Sequence, residues 1–285
     1  MSDADLLLPL IDEVARQIQA AEALVVAAGA GLGVDSSLPD FRGSRGFWQA
    51  YPALGRQRLR FQDIANPAAF RRDARAAWGF YGHRLALYRQ TVPHEGFALL
   101  KQWMAARALG GRVFTSNVDG QFQRAGLPDV HECHGSIHLL QCSRPCSARV
   151  WSADSFQPEV DEAQCRLISE LPRCPDCGAV ARPAILMFDD DAWVEAPFER
   201  QADALDDWLA QVRGRRLVVL EIGAGSAIVS VRSFAQRLAR VPGVRWIRLN
   251  PDGSRLPPGH GPSLPGGALE LLRRIHERMP DPRSA

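Results

Sequence analysis

Four cysteines in two close pairs could hold a metal ion. Cys142 and Cys146 have three residues between them, and Cys174 and Cys177, with two residues between them, follow after an interval of 27 residues. Four thiolates at these spacings can enclose zinc in a closed tetrahedral site. Such a site leaves no position open to a substrate, so the zinc would support folding rather than catalysis. An iron–sulfur centre or redox thiols are the alternatives.

Glycines after an apolar run could bind a phosphate group. Gly29, Ala30 and Gly31 directly follow the run at 23–28. At the end of a strand, glycines let the main chain approach a pyrophosphate, and exposed N–H groups hold its charge. A tight turn explains the same glycines equally well.

The continuation of this segment is unusual for a dinucleotide-binding fold, because Pro39 would interrupt a helix. We therefore predict that residues 34–43 form a long ordered loop over a bound dinucleotide. In this loop Arg42 is available to a phosphate, and Phe41 to a ribose or a ring.

Polar residues follow three other apolar runs. Asn117 and Asp119 come at the end of the run at 112–116 and could hold ribose hydroxyls or a carboxamide. An Asx turn that closes the strand is the alternative. The segments 223–226 and 250–251 lie where a doubly wound sheet would contact the adenosine half of a dinucleotide, and each alone is equally consistent with a turn.

One histidine is a candidate general base. His134 precedes a glycine at the edge of a predicted loop, and a histidine can accept a proton near neutral pH. A structural role is the alternative for His134, and it is the preferred interpretation for His131 and His138.

The elements that must position these residues follow from the pattern of apolar residues. Helical spacing predicts a helix over 6–20 and a last helix over 268–278, and short apolar runs predict buried parallel strands. These strands lie at 23–28, 112–116, 216–222 and 244–249. Strands that alternate with helices predict an α/β fold, a doubly wound parallel sheet of Rossmann type.

Two stretches interrupt this pattern and define the predicted domains. Residues 43–91 are rich in arginine and aromatic residues at helical spacing and predict a helical module, and residues 139–182 predict an inserted zinc-binding module. The Rossmann-like domain then consists of residues 1–42, 92–138 and 183–285.

Composition narrows the class of protein. The 285 residues are 46% hydrophobic and 23% charged, which is typical of a globular protein, and a net charge of +2 does not indicate a nucleic-acid binder. No apolar run reaches the roughly 18 residues that a membrane span needs, and the N-terminus does not resemble a secretory signal. We expect a cytoplasmic protein that binds no membrane, in which Cys133 and Cys165 are buried thiols.

In their order, these segments resemble the sirtuin family. The resemblance extends over most of the chain from Ala23 to Asn250 and includes the glycine loop up to Arg42, the Thr-Ser-Asn-Val-Asp segment at 115–119, the His-Gly pair at 134–135, the four cysteines and the Arg-Pro strand at 182–188. The resemblance implies that the chain uses NAD to remove acyl groups from lysine side chains. The products would be nicotinamide, free lysine and O-acyl-ADP-ribose.

The resemblance also implies roles for individual residues. His134 would be the general base that acts on a ribose hydroxyl, Asn117 would order the nicotinamide ribose, and Asp119 would hold the carboxamide. Phe41 would shield the cation that remains when nicotinamide leaves. The implied cofactor contacts are Gly29, Ala30, Gly31, Asp40, Phe41, Arg42, Ser116, Asn117, Val118, Asp119, Gly223, Ala224, Gly225, Ser226 and Asn250, and the implied substrate contacts are Tyr81, Arg84, Met187 and Phe188.

Tyr81 and Arg84 could indicate which acyl group the protein removes. In some sirtuins a Tyr-x2-Arg pair in this module marks a preference for succinyl or malonyl lysine, and a tyrosine hydroxyl with an arginine fork can hold a terminal carboxylate. Three residues apart on a predicted helix, the two share a face. An ordinary pair on a helix surface is the alternative.

The sequence departs from the family pattern at several positions. The family usually has serine where Gly33 stands, glycine at Ser37 and histidine at Phe122, and its Gly-Thr-Ser is replaced by Gly-Ala-Gly at 223–225. The substrate strand usually ends in Phe-Gly-Glu or Phe-Gly-Asp, but here it ends in Phe-Asp-Asp-Asp at 188–191, which predicts added negative charge in the peptide groove. An ADP-ribosyltransferase or NAD hydrolase is therefore the main alternative, and a silent NAD-binding regulator is the other.

Overall fold

A computed structural model describes residues 3–39, 43–127, 129–252 and 255–279, and for residues 3–6 and 43–46 it describes only the main chain. Six parallel strands form the central sheet in the order β11-β10-β9-β1-β2-β3. These strands are β1 (Ala23–Ala28), β2 (Gly111–Thr115), β3 (Val130–Glu132), β9 (Leu217–Ile222), β10 (Arg245–Leu249) and β11 (Ser263–Leu264). The predicted doubly wound sheet is confirmed.

The strand order places a crevice between β1 and β9. The chain builds outward from β1 through β2 to β3, and then from β9 in the opposite direction to β11. Ligands bind at such reversals, outside the carboxyl ends of the strands. β1 pairs with β9 in register from Ala23 opposite Leu217 to Ala28 opposite Ile222, so the loops after both strands begin side by side.

Helices cover both faces of this sheet. Alternate residues of β1 point to opposite faces: Leu24 and Val26 belong to one hydrophobic cluster, and Val25 and Ala27 belong to another. The first cluster includes residues of α1 (Asp3–Ala20), α7 (Glu95–Ala105) and α11 (Ala268–His276), and the second includes residues of α9 (Ala196–Gln211) and α10 (Ser230–Ala239). All six residues of β1 are buried, as expected for a strand that is covered on both sides.

The remaining elements share a third hydrophobic core. They are α2 (Gly43–Ala50), α3 (Pro52–Arg56), α4 (Phe61–Ile64), α5 (Pro67–Arg72), α6 (Ala74–Gln90), β4 (Gly135–Cys142), β5 (Val150–Ser152), β6 (Val160–Asp161), β7 (Arg166–Leu167) and β8 (Ala181–Ile185). The short helix α8 (Gln121–Arg124) is not part of this core and packs in the first cluster through Phe122. Trp78 of α6 donates its indole N–H to the carbonyl of Ala181 at 2.8 Å. A side-chain carbon at Gly79 would lie 2.0 Å from the carbonyl oxygen of Cys165, so glycine permits this close packing of α6 on the inserted segment.

The predicted helical and zinc-binding modules therefore pack on one core. The predicted module boundaries at 138/139 and 182/183 fall within β4 and β8, which pair antiparallel with each other. The division into three domains stays a prediction.

The predicted loop at 34–43 is wrong at both of its ends. A 3-10 helix covers Ala30–Ser36, and α2 begins at Gly43. The 3-10 helix ends before Pro39 because Ser37 adopts a left-handed conformation with φ of 64°. Strands β3 and β11, of three and two residues, were not predicted, because strands this short carry too few residues to show a pattern. No helix in the described part of the chain is both long and apolar enough to cross a membrane.

Candidate active site

The two glycine loops meet at the crevice. The N–H of Gly29 donates to the carbonyl of Ile222 at 2.9 Å, and the N–H of Gly31 donates to that of Gly223 at 3.0 Å. A side-chain carbon at Gly31 would lie 2.7 Å from the Cα of Gly223, and one at Gly223, whose φ is 61°, would lie 2.4 Å from the nitrogen of Leu32. These glycines are required for contact between the loops.

This contact corrects the reason that the sequence suggested for the glycines. The N–H groups of Gly29 and Gly31 are not exposed for a pyrophosphate, since they already donate to the main chain. Ala30 and Ser226, in contrast, are exposed, and no described residue lies within 4 Å of the place where Gly225 would carry a side chain. The open part of the crevice therefore runs along these three residues.

Asn250 shapes the second glycine loop. Its side-chain amide donates to the carbonyl of Ala224 at 2.7 Å, and its side-chain oxygen accepts from the N–H of Asp252 at 3.2 Å. Arg232 of α10, which the sequence did not single out, donates to the same carbonyl at 2.9 Å and to the carboxylate of Asp252 at 2.8 Å. The buried amide of Asn250 thus holds the loop through its main chain.

Asn117 joins the end of β2 to the first glycine loop. Its side-chain amide donates to the carbonyl of Gly29 at 3.1 Å, and its N–H donates to the hydroxyl of Thr115 at 3.0 Å. Beside it, Ser116 donates its N–H to the carbonyl of Ala28 at 3.3 Å. The segment after β2 is therefore held against the loop after β1, at the edge of the crevice.

Asp119 is a buried carboxyl group in the same segment. One carboxylate oxygen accepts from the N–H of Gln121 at 3.0 Å, so the Asx turn that was the alternative for this segment is present at Asp119. Burial raises the pKa of Asp119 to about 6, against a hydrogen bond from Gln121 and the charge of Arg84, which lower it. Near neutral pH the carboxyl group is thus close to its titration midpoint and can either accept or donate a hydrogen bond.

His134 lies where the β3–β4 connection meets this segment. The neighbouring N–H groups of Cys133 and Ile137 donate to the carbonyls of Thr115 at 2.9 Å and Val118 at 3.0 Å. The carbonyl of His134 accepts from the N–H of Leu186 at 3.0 Å, which places the histidine beside the end of β8.

The imidazole of His134 is half-buried and neutral. Burial lowers its pKa below the usual value, and Nε2 lies 2.9 Å from the hydroxyl oxygen of Ser230. The following residue must be glycine, because Gly135 has a φ of 78° and a side-chain carbon there would lie 2.1 Å from the carbonyl oxygen of Ala184. A neutral imidazole at the mouth of the crevice can accept a proton.

His131 and His138, the two histidines near His134 in the sequence, have different surroundings. Nε2 of His138 lies 2.9 Å from the carbonyl oxygen of Asp119, and burial lowers the pKa of this histidine. The ring of His131 packs edge-on against Phe114. Both contacts agree with the structural roles that the sequence suggested.

Tyr81 and Arg84 are both buried in the third core, so they are not a pair on a helix surface. Arg84 donates to the hydroxyl of Tyr88 from Nε at 2.9 Å and from a terminal nitrogen at 2.6 Å, and its guanidinium lies 5.2 Å from the ring centres of Phe80 and Tyr88. Burial raises the pKa of Tyr81, and the nearby charges of Arg84 and Arg182 act against this shift. The sequence missed Tyr88, one helical turn after Arg84.

The substrate strand turns sharply after Phe188. Phe188 donates its N–H to the carbonyl of Ala65 at 2.9 Å and packs edge-on against Phe61, whereas Met187 is buried. Asp189, where the family usually has glycine, adopts a left-handed conformation with φ of 52°. Asparagine and aspartate tolerate this conformation better than other residues with side chains.

Of the three carboxylates that were predicted to add negative charge to the peptide groove, one is buried. Asp190 points into the protein and forms a bidentate ion pair with Arg182, at 2.7 and 2.8 Å, in which both side chains are at most 1% exposed. The carboxylate also accepts from the N–H groups of Met187 and Ala192, at 3.2 Å each. Only Asp189 and Asp191 are exposed at this turn.

Three predicted cofactor contacts lie outside the described residues. They are Asp40, Phe41 and Arg42, between the 3-10 helix and α2.

The four cysteines converge as their spacing predicted. Their sulfur atoms all lie within 4.8 Å of one another, and Cys142 pairs with Cys177, and Cys146 with Cys174, at 3.6 Å. Four thiolates about 2.3 Å from a zinc ion would have their sulfurs roughly 3.8 Å apart, so the site fits zinc.

One turn of this site favours thiolate formation. Burial raises the pKa of Cys174, but hydrogen bonds from the N–H groups of Cys177 and Asp176, together with those of the Cys146 and Cys177 thiols, outweigh it and lower the pKa to about 7. The turn closes with Gly178, whose φ is 70° and whose N–H donates to the carbonyl of Cys174 at 2.9 Å. A metal ligand must be deprotonated, so this turn prepares the site for metal.

Cys133 and Cys165 lie apart from the four clustered sulfurs, as predicted. Burial raises the pKa of each thiol to about 12, so both are protonated at neutral pH.

These observations define a doubly wound dinucleotide-binding fold with an inserted four-cysteine metal site. The chain also matches the model of the Sir2 family over residues 29–208. It belongs to the Sir2 family, which confirms the resemblance to the sirtuins.

Curated relatives match almost the whole chain. This chain is 30% identical over 267 residues to NAD-dependent protein deacylase 1 of Archaeoglobus fulgidus, and the alignment covers 93% of this chain and 96% of that protein. It is 31% identical over 255 residues to NAD-dependent protein deacylase 2 of Pyrobaculum aerophilum, with 90% of each chain covered.

Solved structures show the same fold. The chain is similar to a Sir2 homologue in complex with NAD, with a TM-score of 0.71, 25% identity and coverage of 93% of this chain and 94% of that one. It is also similar to a Sir2 homologue variant in complex with 2′-O-acetyl ADP ribose, with a TM-score of 0.70, 26% identity and coverage of 95% and 98%.

Proposed function

We propose that this protein is an NAD-dependent deacylase that removes acyl groups from lysine side chains of proteins. The observation that carries the proposal is the convergence of Asn117, Asp119 and His134 at the crevice between β1 and β9, beside the end of β8. Curated relatives that align over nine-tenths or more of the chain are NAD-dependent protein deacylases. The protein thus has both the expected residues and the expected relatives.

The residues of the crevice fit NAD. The open stretch along Ala30, Gly225 and Ser226 leaves room for a ligand at the strand reversal, where dinucleotides bind in this class of fold. Asp119, with a pKa of about 6, suits the nicotinamide carboxamide, which offers both a hydrogen-bond donor and an acceptor. When bound, NAD would supply the anomeric ribose carbon that the acyl oxygen attacks as nicotinamide leaves, and the ribose hydroxyl that then receives the acyl group.

His134 would act as the general base. Its neutral imidazole can take a proton from a ribose hydroxyl, and the transfer requires direct hydrogen-bond contact. Asn117 would hold the ribose while its amide remains anchored near the glycine loop. Met187 and Phe188, next to the bond from Leu186 to His134, would line the path of the acyl-lysine.

The pair of Tyr81 and Arg84 supports an acyl group with a terminal carboxylate, such as succinyl or malonyl. The guanidinium is buried among aromatic rings and bonded to the hydroxyl of Tyr88. A buried guanidinium strongly favours a carboxylate that reaches it with good geometry. Asp119 and Tyr88 interact electrostatically, so the groups proposed to hold the acyl carboxylate and the nicotinamide would be neighbours.

Zinc would hold the inserted segment together and take no part in the chemistry, because four cysteines fill a tetrahedral site. A cytoplasmic location agrees with six cysteines that form no disulfide.

The test is to incubate the protein with NAD and matched peptides that carry acetyl-, succinyl- or malonyl-lysine. Nicotinamide and peptide mass are measured together. The proposal predicts nicotinamide and deacylated peptide in equal amounts, and faster turnover of the succinyl and malonyl peptides. An Arg84→Met variant should lose that preference while it retains deacetylation.

Other outcomes would favour the alternatives. Release of nicotinamide without peptide deacylation would indicate an NAD hydrolase or an ADP-ribosyltransferase. If NAD binds but no nicotinamide is released with any peptide, the protein is a regulator.

A further inference from the structure

Ser230 is the contact partner of the proposed catalytic imidazole, although no motif in the sequence pointed to it. It is the first residue of α10, and its hydroxyl oxygen lies 2.9 Å from Nε2 of His134. The two residues are 96 positions apart in the sequence. They meet because α10 begins directly after the exposed stretch that follows the second glycine loop.

Capping of α10 does not explain this serine. Serines near the start of a helix commonly bond to free N–H groups of the first turn. Here the capping residue is Val229, and no side chain caps the helix. Within the described part of the chain, the hydroxyl of Ser230 bonds only to His134.

The two nitrogens of the imidazole have different surroundings. Nε2 is bonded to Ser230, whereas Nδ1 has no hydrogen-bond partner among the described residues. His134 as a whole is only partly buried. A neutral imidazole carries its proton on one nitrogen and is basic at the other, and a partner at one nitrogen selects between the two forms.

We infer that Ser230 is a positioning residue for His134, whose hydroxyl accepts a hydrogen bond from Nε2–H and so leaves Nδ1 as the nitrogen that takes the proton. This inference rests on the proposed function, in which His134 is the base. The proton moves from the substrate hydroxyl to Nδ1, and the proton on Nε2 stays where it is.

The bond to Ser230 strengthens as the reaction proceeds. When Nδ1 gains a proton the ring becomes an imidazolium, and the N–H at Nε2 then donates a charge-assisted hydrogen bond to the hydroxyl oxygen. The hydroxyl also restricts rotation of the ring. A base that is itself held by a second group is the usual arrangement where a proton must be taken from a hydroxyl.

The experiment compares Ser230→Ala with Ser230→Thr, which keeps a hydroxyl, and with Ser233→Ala, which removes an exposed hydroxyl one turn later on α10. The first measurement is the ¹⁵N NMR spectrum of histidine-labelled protein. In the parent protein and in Ser230→Thr, we expect His134 with its proton on Nε2. In Ser230→Ala we expect a mixture of both tautomers.

The second measurement is steady-state deacylation. Ser230→Ala should lower kcat roughly tenfold and leave the KM for NAD within about twofold, because only the orientation of the base changes. Ser230→Thr should restore most of kcat, and Ser233→Ala should match the parent protein. A purely structural role would instead change folding or both kinetic constants.

The outcomes separate the two proposals. If His134→Ala abolishes deacylation but Ser230→Ala changes neither kcat nor the tautomer, the inference about Ser230 is wrong and the proposed function stands. A proton on Nδ1 in the parent protein would also overturn it. If His134→Ala still deacylates, the assigned base itself is wrong.

Discussion

Arg182 of β8 and Asp190, in the turn that follows this strand, form a buried bidentate ion pair. The carboxylate also holds the N–H groups of Met187 and Ala192, so it fixes the turn that ends the substrate strand. Removal of one partner leaves a charge buried without compensation. We expect Asp190→Asn to lower the free energy of unfolding by about 3–5 kcal/mol, measured by urea denaturation.

Asp191→Asn is the matched control, because the neighbouring carboxylate is exposed. It should stay within about 0.5 kcal/mol of the parent protein. The combined Arg182→Met, Asp190→Asn variant should lose less than the sum of the two single variants, since it leaves no unpaired charge. Equal losses in Asp190→Asn and Asp191→Asn would refute the role of the pair.

Left-handed backbone explains two departures from the family pattern. Ser37 and Asp189 stand where the family usually has glycine, and both have positive φ, at 64° and 52°. A β-branched residue is strongly disfavoured in this conformation. We expect Asp189→Val to destabilise the protein by about 1–2 kcal/mol, and Asp189→Gly to change its stability by less than about 0.5 kcal/mol.

Thermal or urea unfolding measures both variants. Asp191→Val provides the comparison, because Asp191 is exposed and has no positive φ. If the two valine substitutions cost the same, the backbone conformation of Asp189 is not the reason.

Much of the sheet and the metal site could be predicted from the sequence, because each depends on a local pattern. An unbroken apolar run marks β1, a run interrupted only by Glu221 marks β9, and cysteine spacing marks the four ligands. Contacts between distant segments were not predictable. The bond from Ser230 to His134 and the ion pair between Arg182 of β8 and Asp190 in the turn after it exist only once the chain has folded.

Some interpretations from the sequence failed for a physical reason. Gly29 and Gly31 were explained by a bound phosphate group or by a tight turn, but they are required by the facing loop at Gly223, which local sequence cannot reveal. Three charges at 189–191 were assigned to the groove, but burial of Asp190 depends on an arginine in the preceding strand.

Removal of the metal should unfold the inserted segment. The four thiolates connect β4 to the turn before β8, so their loss should also weaken the third core. We expect the purified protein to contain one zinc ion per chain by elemental analysis, and a chelator to lower its melting temperature. Cys174→Ser should reproduce this loss, whereas Cys165→Ser should retain zinc. A fully stable protein without metal would contradict the structural role.

Glu132, two residues before His134, should make stability depend on pH. Burial raises its pKa to about 7, although hydrogen bonds from Gln201, Ser136 and Gln123 act in the opposite direction. The folded state thus favours the neutral carboxyl group. Its contribution to stability is fully present below the unfolded pKa near 4.5 and is lost as the pH rises through about 7.

Glu132→Gln tests this sign, because the amide is neutral at every pH. The free energy of unfolding is measured by urea denaturation from pH 5 to pH 8. We expect the variant to gain stability relative to the parent protein as the pH rises. Glu199→Gln, at an exposed position of α9, should show no such trend. A gain at low pH in place of high pH would show that Glu132 is charged in the folded protein.

The most direct test of the account follows the acyl group itself. The protein is incubated with NAD and a succinyl-lysine peptide, and mass spectrometry identifies the molecule that carries the succinyl group afterwards. We predict succinylated ADP-ribose in the same amount as nicotinamide and free peptide, and neither succinylated ADP-ribose nor free peptide with His134→Ala. If the succinyl group remains on the peptide while nicotinamide is released, or is released as free succinate from the start, the protein is not an NAD-dependent deacylase of this kind.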